Sequence, residues 1–279
     1  MAGTDLARRL KHKARALLGL RQGHAAPVMP LEPMAPDKVI EKTRLILLKN
    51  KTWRYLRYLH FREALQYVES EVSSVCICGA GHGYAELALA AEFPHIHFTL
   101  TDIVNKEHGY PNYHATMDMA WKWGVDNISF SVWNVLEPTH RRFDLVASTE
   151  MLEHIEDAQT AAKHMRAAAE KFVYCLVPFA DAATNANEQK RKGAWERHEH
   201  FVCGYDADEM RAMFPNPVLL TGTYWADTGL AFRMKLNELS PEEIEAQFQT
   251  LQHEAEADLS AKIPQRSKEA QGIKILSRV

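Results

Sequence analysis

Val75-Cys76-Ile77-Cys78-Gly79-Ala80-Gly81-His82-Gly83-Tyr84-Ala85-Glu86 is the stretch on which the fold turns. Four apolar residues run into a GxGxG turn, and a helical pattern then continues through Leu87 and Leu89 to stop near Pro94. An apolar run closed by glycines reads as a buried strand. Glycines at a strand-to-helix corner let the backbone turn tightly and approach a ligand where a Cβ would clash. A dinucleotide site uses the GxGxxG spacing, which is absent here.

Outward from the corner, short apolar runs alternate with helical stretches, the sequence form of βαβ units in a parallel sheet. Strands are expected at Val75–Cys78, Ile96–Thr101, Ile128–Trp133, Leu145–Ser148, Phe172–Val177, Val218–Tyr224 and Leu230–Lys235. Only Trp225 to Gly229 separate the last two, too few residues for a crossover, so they are expected as an antiparallel hairpin at the sheet edge. The fold class is α/β: a doubly wound, seven-stranded, mostly parallel Rossmann-like sheet with added N- and C-terminal helices.

Four segments follow. Residues 1–36 are a basic amphipathic extension and proline-rich linker. Arg8, Arg9, Lys11, Lys13, Arg15 and Arg21 accompany Leu6, Leu10, Leu17 and Leu18 at helical spacing, and Pro27, Pro30, Pro33 and Pro36 impose extended backbone. That helix reads either as a contact for an anionic surface or RNA, or as an extension whose leucines pack on the domain. Residues 37–71 carry Ile40, Ile46, Leu47, Trp53, Leu56, Leu65 and Val68 spaced for two helices broken near Asn50, a helical cap. Residues 72–237 hold the sheet. Residues 238–279 are expected as a helical extension, opened by Ser240-Pro241-Glu242-Glu243 with an N-cap, a first-turn proline and a capping-box glutamate.

The chain has 279 residues, 46% of them hydrophobic, and a formal net charge of -3. It lacks the positive field that wholesale commitment to nucleic acid or anionic lipid requires. Cys76, Cys78, Cys175 and Cys203 do not form paired CxxC motifs and read as reduced thiols. No apolar stretch approaches the roughly 20 residues of a membrane span, and no secretory hydrophobic region follows the basic N-terminus. The expectation is a cytoplasmic protein with a small-molecule substrate, nucleic acid remaining open.

Two more strand ends add polar groups at the edge where open α/β sheets bind ligands. Thr101-Asp102 closes the second strand about 20 residues beyond the corner, where a carboxylate can accept from both hydroxyls of a ribose. Trp133-Asn134-Val135 closes the third, where an amide can accept from an adenine amino group while the next N–H donates to the ring. Together they point to a nucleoside-type cofactor.

With these residues the sequence resembles the class I S-adenosylmethionine-dependent methyltransferases over about residues 72–237. The resemblance implies that Gly79, Ala80, Gly81 and Gly83 flank the methionine part of the cofactor. It also implies that Asp102 and Ile103 bind the ribose side and that Asn134 and Val135 frame adenine. Many family members carry an acidic residue two places before the first glycine; here that position is Ile77.

After the fourth strand, Glu150, Glu153 and His154 stand at i, i+3 and i+4 and are expected on one face of a helix beside the reactive methyl. Glu-x-x-Glu-His with a later His resembles two methyltransferase groups, the ubiquinone-biosynthesis O-methyltransferases and the small-RNA 2′-O-methyltransferases. The resemblance implies a divalent cation such as Mg²⁺ held by Glu150, Glu153, His154 and His200, with His198 as the alternative last ligand. A bound cation lowers a hydroxyl's pKa and orients it; His154, with Glu150 beside it, can instead serve as a general base without metal. On a purely structural reading the two glutamates stabilise a helix N-terminus by ~0.3–1 kcal/mol each.

The polar stretch from Val177 to Phe201, with Asn185, Lys190, Trp195 and Arg197, has the length of a functional lid. Between Asn105 and Trp123, His108, Tyr110, Tyr113, His114 and Trp121 are candidates to line an acceptor pocket. Three functions remain open: methyl transfer to a hydroxyl of a sugar, phenol or related metabolite; an RNA 2′-O-methyltransferase; and a catalytically inactive cofactor-binding regulatory subunit, for which the change at Ile77 leaves room.

Overall fold

The computed structural model describes residues 32–50, 52–103, 113–180, 201–223 and 272–279, with 183, 185, 242–243 and 245–246. The chain divides into Met1–Glu32 and Pro33–Val279, and the basic extension with most of its linker lies outside the described residues. In the second unit β1 (Ser74–Cys78) is buried at four of its five positions. Its pleat sends Val75 and Ile77 into one core and Cys76 and Cys78 into the other, the period of two that a doubly covered strand requires.

β2 (His97–Asp102), β3 (Ile128–Val132), β4 (Phe143–Thr149), β5 (Ala169–Pro178), β6 (Pro217–Thr223) and β7 (Gly272–Arg278) complete the sheet in the order β3-β2-β1-β4-β5-β7-β6. β1 to β5 are parallel, and β7 runs antiparallel to both β5 and β6. One face is covered by α1 (Pro36–Asn50), α2 (Thr52–Val68), α3 (Tyr84–Glu92) and α4 (Tyr113–Trp123), and the other by α5 (Ala158–Ala168) and α6 (Ala207–Met213). The chain passes from β1 outward to β2 and β3, then returns to β4 on β1's other side. That reversal opens a crevice at the carboxyl ends of β1 and β4. No described helix is long and apolar enough to cross a membrane.

The strand beside β5 differs from expectation. Leu230–Lys235 lies outside the described residues, and the partner of both β5 and β6 is β7, so the helical extension expected over 238–279 fails across 272–278. The cause is Lys274, a charge in mid-strand that hides the pattern. It is fully buried, and its Nζ donates to Glu63 Oε2 of α2 at 2.6 Å, so the partner that makes the burial tolerable lies far away in sequence. The described part of the C-terminal helix, at 242–243 and 245–246, packs near α1 and α2, where Tyr55 donates to Glu245 at 2.9 Å.

Asp144 fastens the sheet at the edge opposite the crevice. Its Oδ2 accepts from Ser73 N at 2.8 Å, Ser73 Oγ at 2.7 Å and Ser74 N at 3.2 Å, and Lys171 Nζ lies 2.8 Å from Oδ1. Burial pushes the carboxyl up, but the Lys171 and Ser73 hydrogen bonds outweigh it and hold it at about 2. A depressed folded pKa stabilises fully above the unfolded value of 3.8 and is lost as pH falls through about 2. Asp144→Ala is therefore expected to cost about 2 kcal/mol at pH 7. Urea unfolding should show the gap from wild type narrowing between pH 4 and pH 2 (about the carboxylate range); a pH-independent gap would contradict this account.

Candidate active site at the carboxyl edge

The backbone enters the left-handed region at Gly79, Gly81 and Gly83. Gly83 caps α3, and a Cβ there would sit 2.5 Å from Leu100 Cδ2, so packing as well as φ excludes a side chain. Gly81 is different: a Cβ there would meet nothing within 4 Å, leaving open space above the turn. Ala80 N donates to Thr101 O at 3.1 Å and Gly83 N to Ala80 O at 3.1 Å, while the Thr116 hydroxyl bonds to the His82 carbonyl.

Asp102 is tied directly to this corner. Its Oδ2 accepts from Gly81 N at 2.9 Å and its Oδ1 from Ile103 N at 2.8 Å. Each oxygen keeps a lone pair for a further donor. Ile103 is 47% exposed, an apolar surface beside that carboxylate. On the neighbouring strand Val132 pairs with Asp102, and Trp133 N reaches Asp102 O at 3.2 Å, which brings Asn134 to the same edge. Asn134 Oδ1 accepts from Leu136 N at 3.1 Å, and buried Val135 offers its carbonyl to the His164 ring at 2.9 Å. The structure thus places the corner, Asp102, Ile103, Asn134 and Val135 along one edge of three adjacent strands.

The segment after β4 departs from the expected helix. Glu150 has φ 50, a 3₁₀ turn covers Leu152–His154, Ile155 is extended, and α5 begins only at Ala158, capped by Asp157 accepting from Thr160 N at 3.0 Å. Glu150, Glu153 and His154 therefore share no helical face. Glu153 is 1% exposed and, among the described residues, its Oε2 finds no hydrogen-bond partner. Burial pushes its carboxyl up to about 7, against the pull of a hydrogen bond from its own backbone N–H and, less strongly, of Arg57. His154, next in sequence, is exposed.

Arg57 was not apparent in the sequence. It pairs with Glu150, the two side chains being 18% and 11% exposed, and lines one cavity with Leu47, Glu86, Thr149, Glu150 and the corner at 79–85. The available signal was its surroundings in α2: Tyr55, Leu56, Tyr58 and Leu59 are all buried, and a charge on such a helix needs a partner. Of the aromatic candidates, Trp121 is 69% exposed, whereas His108 and Tyr110 lie outside the described residues. Most of the lid segment lies outside them too, although Asn185 bonds to Gly204 O and Cys203 N, each at 3.0 Å.

Residues 51–216 match the model of a family described as a methyltransferase domain. This chain belongs to that family. Ribosomal RNA small subunit methyltransferase G of Exiguobacterium sp. is 29% identical to this methyltransferase over 92 residues, 32% of this chain and 37% of that protein. The Bacillus subtilis protein of the same name is 36% identical over 70 residues, 24% of this chain and 28% of its own. These matches span well under half of either relative. A Galdieria sulphuraria structure, provisionally assigned as a sarcosine dimethylglycine methyltransferase, aligns with a TM-score of 0.53 at 14% identity over 81% of this chain and 85% of that one, a likeness of fold. Family and fold are those of the class I S-adenosylmethionine-dependent methyltransferases.

The described residues of this methyltransferase fit such a cofactor: the space above Gly81 adjoins a carboxylate with free lone pairs, and the cavity continues to a pair of charged side chains. A divalent metal fits them poorly. Arg57 is paired with Glu150, Glu153 is buried and His154 is exposed, so one expected ligand already has a cationic partner and the other two lie in opposite environments. Among the described residues no group of three or more His, Cys, Asp or Glu could hold a metal. His198 and His200 lie outside the described residues, although Phe201 N donates to Glu153 O at 2.9 Å.

Proposed function

We propose that this protein transfers the methyl group of S-adenosylmethionine to a hydroxyl of a small-molecule acceptor, a sugar, phenol or related metabolite, with His154 as general base. The observation that carries the reading is the contrast after β4, where Glu153 is buried and its neighbour His154 is exposed on the turn that follows the strand. Gly79, Ala80, Gly81 and Gly83 cradle the cofactor's methionine part, Asp102 and Ile103 its ribose, and Asn134 and Val135 its adenine. When bound, the cofactor supplies a methyl already activated on a sulfonium. What the chain must add is in-line positioning, which can supply ~7–11 kcal/mol, and a base for the hydroxyl proton. His154 would take the proton of the acceptor hydroxyl as that oxygen receives the methyl group. Four free thiols, three of them buried, favour a reducing cytoplasmic setting.

An RNA acceptor is the second reading, favoured by the relatives named as ribosomal RNA methyltransferases and by the basic residues 8–21. The net charge of -3 weighs against it. The test is transfer of tritium from methyl-labelled S-adenosylmethionine into a cell-free metabolite extract or total RNA, each with and without EDTA. Label is expected in the metabolites, undiminished by chelation. Label confined to RNA would overturn the acceptor class, loss on chelation with recovery on Mg²⁺ would overturn the metal-free route, and transfer to neither would leave a binding subunit.

A further inference from the structure

We infer that Tyr205 is a positioning residue for the general base, its phenol holding in place the 3₁₀ turn that carries His154. This rests on the reading of His154 as the base and names a residue outside both the cofactor edge and the turn itself.

The turn needs an external hold. Leu152–His154 is a single 3₁₀ turn with no side-chain cap, closed by His154 N on Met151 O at 3.0 Å and Ile155 N on Leu152 O at 3.1 Å. Such turns have poorer hydrogen-bond geometry than an α-helix, and this one ends at once because Ile155 is extended. A base carried on it must still meet the acceptor hydroxyl, and a displacement of about 1 Å costs on the order of 10²-fold in rate.

Both carbonyls that precede His154 are engaged from one short segment. The Tyr205 hydroxyl donates to Leu152 O at 3.0 Å, and Phe201 N donates to Glu153 O at 2.9 Å. Tyr205 is 8% exposed and Leu152 is fully buried, so water does not compete for the first of these bonds. Burial also pushes the phenol up, so it remains protonated and donating at neutral pH.

Tyr205 is itself fixed to the sheet. Its N–H donates to Pro178 O at 2.9 Å and its carbonyl accepts from Ala180 N at 3.2 Å, in a parallel bridge with Phe179 just past β5. Gly204 permits that approach, since a Cβ there would stand 2.2 Å from Pro178 O. On the other side Asp206 caps α6, accepting from Asp208 N and Glu209 N, both at 2.9 Å. The phenol therefore transmits the position of β5 and α6 to the turn. Removing its one oxygen breaks that link and leaves the ring in the core.

The test is a double-mutant cycle on tritium transfer from methyl-labelled S-adenosylmethionine into a cell-free metabolite extract, with wild type, Tyr205→Phe, His154→Ala and the double variant. Tyr205→Phe is expected to lower kcat about 10-fold, with KM for S-adenosylmethionine and affinity for S-adenosylhomocysteine within about 2-fold. In the His154→Ala background the same substitution should change the residual rate by less than about 2-fold, since the phenol acts only through the imidazole. Retained affinity for S-adenosylhomocysteine reports that each variant is folded. Unchanged kcat in Tyr205→Phe beside a slow His154→Ala, or equal losses in both backgrounds, would overturn this assignment and leave His154 as the base. Normal turnover by His154→Ala, or no transfer by wild type, would overturn the base reading and this assignment together.

Discussion

His154→Ala is expected to lower turnover by about 10²–10⁴-fold, the usual contribution of a positioned general base, and to leave affinity for S-adenosylhomocysteine within about 2-fold. The separation follows from the geometry. His154 is exposed on the 3₁₀ turn after β4, whereas the cofactor edge is held by the corner, Asp102 and the strand ends. Added imidazole should restore part of the rate, because the lost function is proton removal rather than packing. The assay uses the acceptor that tritium transfer identifies, and cofactor affinity is read separately by calorimetry. A variant that turns over normally would remove His154 from the chemistry, and one that loses both turnover and binding would recast it as structural.

Asp102→Ala is expected to weaken cofactor binding by about 10²-fold or more, because two contributions of roughly 1.5–3 kcal/mol are lost together. One is acceptance from the ribose hydroxyls. The other is acceptance from Gly81 N, which pins the corner in its turn. Asp102→Asn keeps a single oxygen acceptor and is expected to fall between the two. Isothermal titration with S-adenosylhomocysteine measures the loss, and thermal unfolding checks that the sheet survives. The substitution leaves β2 paired on both sides, so Tm is expected to change little. Unchanged affinity in Asp102→Ala would contradict the placement of ribose at this carboxylate.

The parts legible in the sequence are those that local pattern dictates. β1, β2 and β4 announce themselves because each is a short, largely apolar run closed by a glycine or polar residue, and the corner because Gly79, Gly81 and Gly83 require backbone angles that other residues resist. Three features were hidden because long-range contacts decide them. β7 contains Lys274, whose partner Glu63 lies on α2, and nothing within Gly272–Arg278 shows that a lysine there is tolerated in the core. Arg57 reaches Glu150 across the fold, a pairing that no spacing rule supplies. The third is the turn after β4. Glu150, Glu153 and His154 carry helical spacing, but the chain completes only a 3₁₀ turn, extends at Ile155 and starts its helix at the Asp157 cap. Spacing therefore suggested a shared face where burial assigns opposite environments to Glu153 and His154.

The account stands on the glycine corner, Asp102 and Asn134 forming one nucleoside site, and titration of the wild-type chain with S-adenosylhomocysteine probes that directly. Saturable heat with one-to-one stoichiometry, competed by S-adenosylmethionine and strongly diminished in Asp102→Ala, is the predicted result. No heat at saturating ligand, or binding that ignores the loss of Asp102, would contradict it.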